Sequence, residues 1–163
     1  MNAIDLLTRQ HREVARLFDA IEDADSQDEV QGLFDELADN LAVHCEIEEQ
    51  LFYPEVRANR TEDILLESLE EHLGIKRVLA DMLDTDEVED KVFEARCKVL
   101  KEQVEHHVEE EEQNLFPKVK KLFGKARLEH LGEQMEQLAE QLLDEGEPRE
   151  RILGETESAP PLQ

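Results

Sequence analysis

The sequence predicts an all-α protein, an up-down-up-down four-helix bundle with a short fifth C-terminal helix, on three observations. Apolar residues recur every three or four positions through four long stretches and a shorter fifth, the period of an amphipathic helix. Charged residues make up 37% and hydrophobic ones 39% of 163, with only six Gly and five Pro, a balance that suits long solvated helices rather than sheet. Finally, the chain states one motif twice: HCEIEEQLFYP at 44–54 returns as HVEEEEQNLFP at 107–117. A repeat with a period of about sixty residues is the mark of a duplicated helix hairpin.

The first helix reads Ile4, Leu7, His11, Val14, Phe18 and Ile21, and breaks at the polar stretch 23–28. The second carries Leu33, Leu37, Leu41, His44, Glu48 and Leu51 and ends between Pro54 and Asn59, because proline removes a backbone donor and crowds the preceding turn. The third opens near Thr61, an expected N-cap with Glu62 and Asp63 in the first turn, and continues through Leu65, Leu69, His72, Lys76, Leu79 and Leu83. A break over 83–86 precedes the fourth, with Phe93, Cys97, Leu100, Val104, His107, Glu111 and Leu115 on its stripe and Pro117 near its end. After a break near Gly124, Leu128–Leu143 form the fifth. The bundle domain is thus assigned to 1–144, and 145–163, rich in Gly, Pro and Glu, to a disordered acidic tail. Short connections favour antiparallel neighbours.

Polar residues sit where the core should be. Seven residues are two helical turns, so a residue seven from a core position faces the same way. His11 lies seven from Ile4 and Phe18, His44 from Leu37 and Leu51, Glu48 from Leu41, His72 from Leu65 and Leu79, His107 from Leu100, and Glu111 from Val104. All six are expected to point inward. Buried carboxylates are costly unless compensated, and imidazole with carboxylate is a donor set for a pair of transition-metal ions. A metal-free hydrogen-bonded core is the bland account of these six, and it leaves the doubled spacing unexplained. Lys76 could offset one carboxylate, or extend outward along its stem.

Other residues read as ordinary. His106 lies about 100° off the ligand face and is expected to flank it; His130 reads as a surface or packing histidine. Glu46, Glu49 and the neighbours of Glu111 in the 109–112 run read as a solvated face, Tyr53 as packing by default with donation to a bound oxygen species as the alternative, and the six Phe as core. Cys45 and Cys97 are expected to be reduced thiols, too few for a disulfide framework. The absence of a leader pattern points to the cytoplasm. The 43 acidic against 18 basic residues, formally −25, exclude nucleic acid and an anionic membrane surface as expected partners. The same charge favours a soluble monomer, with the fifth helix the surface for a weak dimer. Three isolated serines and scattered glycines offer neither a nucleophile triad nor a phosphate loop.

The order His, His-x-x-x-Glu, His, His-x-x-x-Glu resembles the hemerythrin-like, or HHE cation-binding, domain family, as do the stretch NAIDLL before His11 and the helix-end phrases LFYP and LFP. The resemblance covers 1–143. It implies a non-haem di-iron centre, with His11 and His44 on one iron, His72 and His107 on the other, and Glu48 and Glu111 bridging. It further implies activities among oxygen binding, peroxide breakdown, nitric oxide chemistry, iron handling and sensing. The oxygen carriers of that family have a second histidine four after the third-helix His, where this chain has Lys76, and an Asp at longer spacing on the fourth helix, where it has His107 and Glu111. Fewer protein ligands leave positions open to substrate, so chemistry on a small oxygen or nitrogen species in stress defence is the expectation, whether by turnover or not. A non-catalytic iron or oxygen sensor, or an iron store, is the alternative, and ligand type alone leaves zinc or manganese open as occupant. The redox partner is not encoded in any motif.

Overall fold

The computed structural model describes residues 1–84 and 91–163, and every regular element in it is helical. Five long helices carry the fold: α1 (Ala3–Asp23), α2 (Gln27–Ile47), α3 (Glu62–Leu83), α4 (Lys91–Glu110) and α5 (Lys125–Asp144). Of the expected break over 83–86 only residues 83 and 84 are described, and the rest of it, with the residues up to 90, lies outside the described residues.

Local chemistry sets the ends. Asn2 Oδ1 accepts the Asp5 N–H at 2.9 Å at the head of α1. Ser26 Oγ accepts the Glu29 N–H at 3.2 Å at the head of α2, while the Glu29 carboxylate reaches back to the Asp25 N–H. Thr61, expected as an N-cap, does something else: its hydroxyl donates to Val56 O at 2.8 Å and accepts the Ala58 N–H at 2.9 Å, tying the preceding loop rather than the helix.

Both motif helices widen at the same place. After α2 a π-helical turn, Glu48–Phe52, leads into a short α-helical end, Tyr53–Glu55; after α4 the π turn Glu111–Leu115 leads into Phe116–Leu122. In each the N–H following the turn bonds five residues back, Tyr53 to Glu48 O and Phe116 to Glu111 O. Pro54 and Pro117, six residues after each glutamate, cannot supply an i→i−4 donor, and their rings crowd the carbonyl four back. A widened turn relieves that crowding, so the second proline does not end its helix, which runs on to Leu122.

Among the described residues, buried apolar side chains form two clusters. One gathers Leu7, Ile47, Phe52, Leu69 and Phe116; the other Leu17, Leu37, Leu79 and Leu100. Along α1 and α3 the chain passes from the first cluster to the second, and along α2 and α4 from the second to the first, which is the alternation of an up-down-up-down bundle. In every one of the four helices the change of cluster falls at the inward-facing histidine. A polar layer therefore separates two dry ones. The fifth helix packs on α1 and α2, and Gly132 sits where an added Cβ would come within 2.2 Å of Met1 O.

The C-terminal segment corrects the expectation of disorder. Gly146, at φ +84°, turns the chain out of α5 in a conformation that suits glycine. Residues Pro148–Gly154 then form a 3₁₀ helix against α2 and α3 and bury Ile152 in the second cluster. Arg149 binds Asp39 through its backbone N–H and guanidinium, at 3.0 and 2.9 Å, and Arg77 donates to Thr156 O and Glu157 O. The polar composition concealed these anchors because each joins residues far apart in the chain.

Candidate metal centre

The polar layer is built from one side chain of α1 (His11), two along α2 and its π turn (His44, Glu48), one of α3 (His72) and two along α4 and its π turn (His107, Glu111). All six are buried, none more than 4% exposed. The histidines stand in two edge-on pairs, His11 with His44 at 5.0 Å between ring centroids and His72 with His107 at 4.7 Å. Glu48 Oε1 lies 2.7 Å from His44 Nε2 and 3.2 Å from His72 Nε2. Glu111 Oε1 lies 3.2 Å from both His11 Nε2 and His107 Nε2. Donor atoms of His44, Glu48, His107 and Glu111 all fall within 4.8 Å of one another.

Each imidazole turns Nε2 inward and Nδ1 outward onto an oxygen. His11 Nδ1 faces Glu112 at 2.9 Å, His44 Nδ1 faces the Gln10 amide oxygen at 2.7 Å, His72 Nδ1 faces Glu49 at 2.7 Å, and His107 Nδ1 faces Glu71 at 2.9 Å. Carboxylate and carbonyl oxygens only accept, so Nδ1–H donates in every case and Nε2 is left to hold either a proton or a cation. This arrangement is the one that orients metal-binding histidines and raises their basicity.

The electrostatics are those of a site short of positive charge. Burial opposes the charged form of His44, yet Glu48 and Glu111 override it and raise its pKa to about 9. Burial likewise opposes ionised Glu48, as does Glu111, but His44 and His107 hold it at about 2. His107 is shifted well up and Glu111 well down by their mutual attraction, and His72 is shifted well up by Cys45 beside it together with Glu48 and Glu49, each against the cost of burial. His44 Nε2 and both Glu48 oxygens still lack a hydrogen bond of proper geometry, although His44 and Glu48 are close. A buried polar atom left unpaired costs about 1–3 kcal/mol, more when charged. Cations on the inner face would satisfy all three atoms, so the donor set fits a metal.

Tyr53, for which packing is the default expectation and donation to a bound oxygen species the other, reaches into the layer. Its hydroxyl donates to Glu111 Oε2 at 3.0 Å and lies 3.2 Å from His72 Nε2. The repeat aligns Tyr53 with Phe116, which stacks on His11 at 6.0 Å as Tyr53 leans on His72 at 5.5 Å. At this aligned position the two halves differ by one hydroxyl. Glu49 and Glu112, read from sequence as solvated, are instead the acceptors of His72 and His11, and each is anchored by a cation: Lys76 Nζ on Glu49 at 2.9 Å, Arg12 on Glu112 at 2.6 Å. Lys76 is 2% exposed and thus serves this outer carboxylate rather than Glu48 or Glu111. His106 lies outside, against Glu71 at 3.1 Å, and His130 is exposed.

The signal for the outer acceptors was present in the repeat. Gln10 and Glu71 each precede the lone histidine of a hairpin and serve the motif histidine of the same hairpin. Glu49 and Glu112 each follow the motif glutamate and serve the lone histidine of the other hairpin.

A four-helix bundle with a buried histidine and carboxylate layer has the architecture of a cation-binding protein. The chain belongs to the hemerythrin family: the model of the hemerythrin HHE cation-binding domain matches residues 2–119. The crystal structure of a hemerythrin HHE cation-binding domain-containing protein from Mycobacterium kansasii superposes with a TM-score of 0.79 at 27% identity, covering 95% of this chain and 99% of that one. An uncharacterized protein of Mycobacterium tuberculosis (strain ATCC 25618 / H37Rv) is 31% identical over 144 residues, 87% of this chain and 88% of that one. A DNA nickase of Nostoc sp. (strain PCC 7120 / SAG 25.82 / UTEX 2576) is 28% identical over 120 residues, and the match spans 74% of this chain but only 34% of that relative's length. No helix among the described residues is long and apolar enough to cross a membrane.

Proposed function

We propose that the protein is a di-iron hemerythrin-like protein of the cytoplasm that binds or reacts with a small oxygen or nitrogen species in stress defence. Its ligands in this reading are His11, His44, Glu48, His72, His107 and Glu111. The observation that carries the reading is the shared orientation of four imidazoles, each held from behind through Nδ1 and each turning Nε2 toward Glu48, Glu111 or both. Iron bound there would supply Lewis acidity and a source or sink of electrons for peroxide, nitric oxide or dioxygen.

The chain's own residues complete the site. Burial of the layer between two apolar clusters excludes bulk water. Tyr53 keeps a proton at its hydroxyl, since burial and the charges of Glu111 and Glu48 push its pKa well above the ordinary tyrosine range. That proton is placed beside Glu111 and His72, where a reduced oxygen species would need one. The nickase's activity is not carried over, because a formal charge of −25 repels a phosphate backbone.

The test is to load the protein with iron, measure metal content and the optical spectrum, and follow consumption of hydrogen peroxide and nitric oxide against free iron. Stoichiometric iron with turnover above the free-ion rate supports the reading. Iron bound without turnover points instead to the sensor or store, and no iron bound refutes both.

A further inference from the structure

We propose that the seam between α1 and α4 is the access route by which a small uncharged molecule reaches the centre, arriving at His11. The proposal rests on the metal reading above. Helix α1 packs on α2 and α5, and α4 on α3, which leaves the α1–α4 seam comparatively open. A cavity of about 460 Å³ lies in it, and His11 forms part of its wall. The floor is apolar, with Val14, Phe18, Val104 and Val108, and Ala15 stands at the lip. A second cavity of about 340 Å³ shares Phe18 and Lys101 with the first and continues the groove toward Phe93 and Cys97. The cavity of about 410 Å³ on the opposite face, between α1, α2 and α5, touches none of the six donor residues.

Charge and shape define the traveller. Asp19, Glu105, Glu109 and Glu112 outnumber Arg12 and Lys101 around the opening, so anions are repelled there as they are by the whole chain. Behind His11 stands Phe116, where the repeat puts Tyr53 in the other half, so this side offers no hydroxyl to a polar ligand. The bidentate Arg12–Glu112 pair, at 2.6 and 3.1 Å, crosses at the surface from α1 to the π turn that follows α4 and fixes His11 through the carboxylate they share. Molecules of the size and polarity of dioxygen or nitric oxide fit this lining.

Two measurements test the route. In the metal-free protein, dissolved dioxygen under pressure should accelerate proton relaxation of the Val14 and Val104 methyl groups, only 3% and 6% exposed, beyond that of Leu37 and Leu41 methyls. Ala15→Trp and Val108→Trp should each abolish the difference. In the iron-loaded, reduced protein either variant should slow nitric oxide association by about 10-fold at unchanged iron content, whereas Ala139→Trp, on the opposite cavity, should not. Uniform methyl relaxation, or unslowed association at equal iron content in both seam variants, overturns the route alone. A wild-type chain that holds no iron sinks the metal reading and the route with it, and metal analysis tells the two failures apart.

Discussion

Glu112 accepts the Nδ1–H of His11 at 2.9 Å from the opposite hairpin, and Glu49 does the same for His72 at 2.7 Å. This reciprocal crossing locks the two halves of the duplication together through the backs of their histidines. It also makes the outer carboxylates part of the centre's affinity.

Glu112→Gln and Glu49→Gln should each weaken iron binding by about 10- to 100-fold while leaving the helical content intact. Competition with a calibrated chelator measures this. Unchanged affinity in both variants would show that the imidazoles need no support from behind.

Loss of a proposed ligand should remove metal and metal-dependent stability together. His44→Ala and Glu111→Ala should lose the stabilisation that iron confers on the native chain, which amounts to about 2.7 kcal/mol at a metal concentration 100 times its Kd. His130→Ala, on an exposed face, should keep both. Equal iron content across all three variants contradicts the ligand assignment.

In the proposed site, proton and cation would compete for the same Nε2 atoms. With its pKa raised to about 9, His44 contributes stability to the metal-free protein that is complete below its ordinary 6.5 and is lost as the pH rises through about 9. Glu48 contributes in the opposite sense, fully above 4.5 and progressively less as the pH falls toward about 2. The metal-free chain should therefore be most stable between 4.5 and 6.5, and iron affinity should climb with pH above that window as protons are released. Urea unfolding across pH, with and without iron, reads both trends. Metal affinity independent of pH would contradict protonation of the donors.

Tyr53→Phe should preserve iron content and lower turnover of peroxide by about 100-fold if the hydroxyl delivers the proton, since general acids contribute on that order. Only one hydroxyl is removed, and Phe116 shows that the fold accepts a phenyl ring at the equivalent place. Turnover equal to wild type would return Tyr53 to a packing role.

Ile152→Ala should destabilise the native state by about 2–4 kcal/mol, the usual cost of truncating a buried aliphatic side chain. A disordered tail would show no effect in thermal unfolding, so the substitution separates the two descriptions of residues 145–163.

The sequence by itself determined the helical class, the alternation of direction, the duplication and the inward direction of the six donors. Those are local properties: a seven-residue interval returns a side chain to the same face of its helix whatever that helix packs against. The tertiary structure alone decided which carboxylate stands behind which imidazole, because Glu49 meets His72 and Glu112 meets His11 only through the axial offset of one hairpin against the other. It also decided that Tyr53 enters the layer, since the π turn from Glu48 to Phe52 closes five residues back rather than four and so returns Tyr53 toward the face of Glu48. The docking of Ile152 was likewise beyond local reading. A single buried side chain in a polar segment has no period, and Asp39 and Arg77, which hold Arg149 and Thr156 on either side of it, belong to helices distant in the chain.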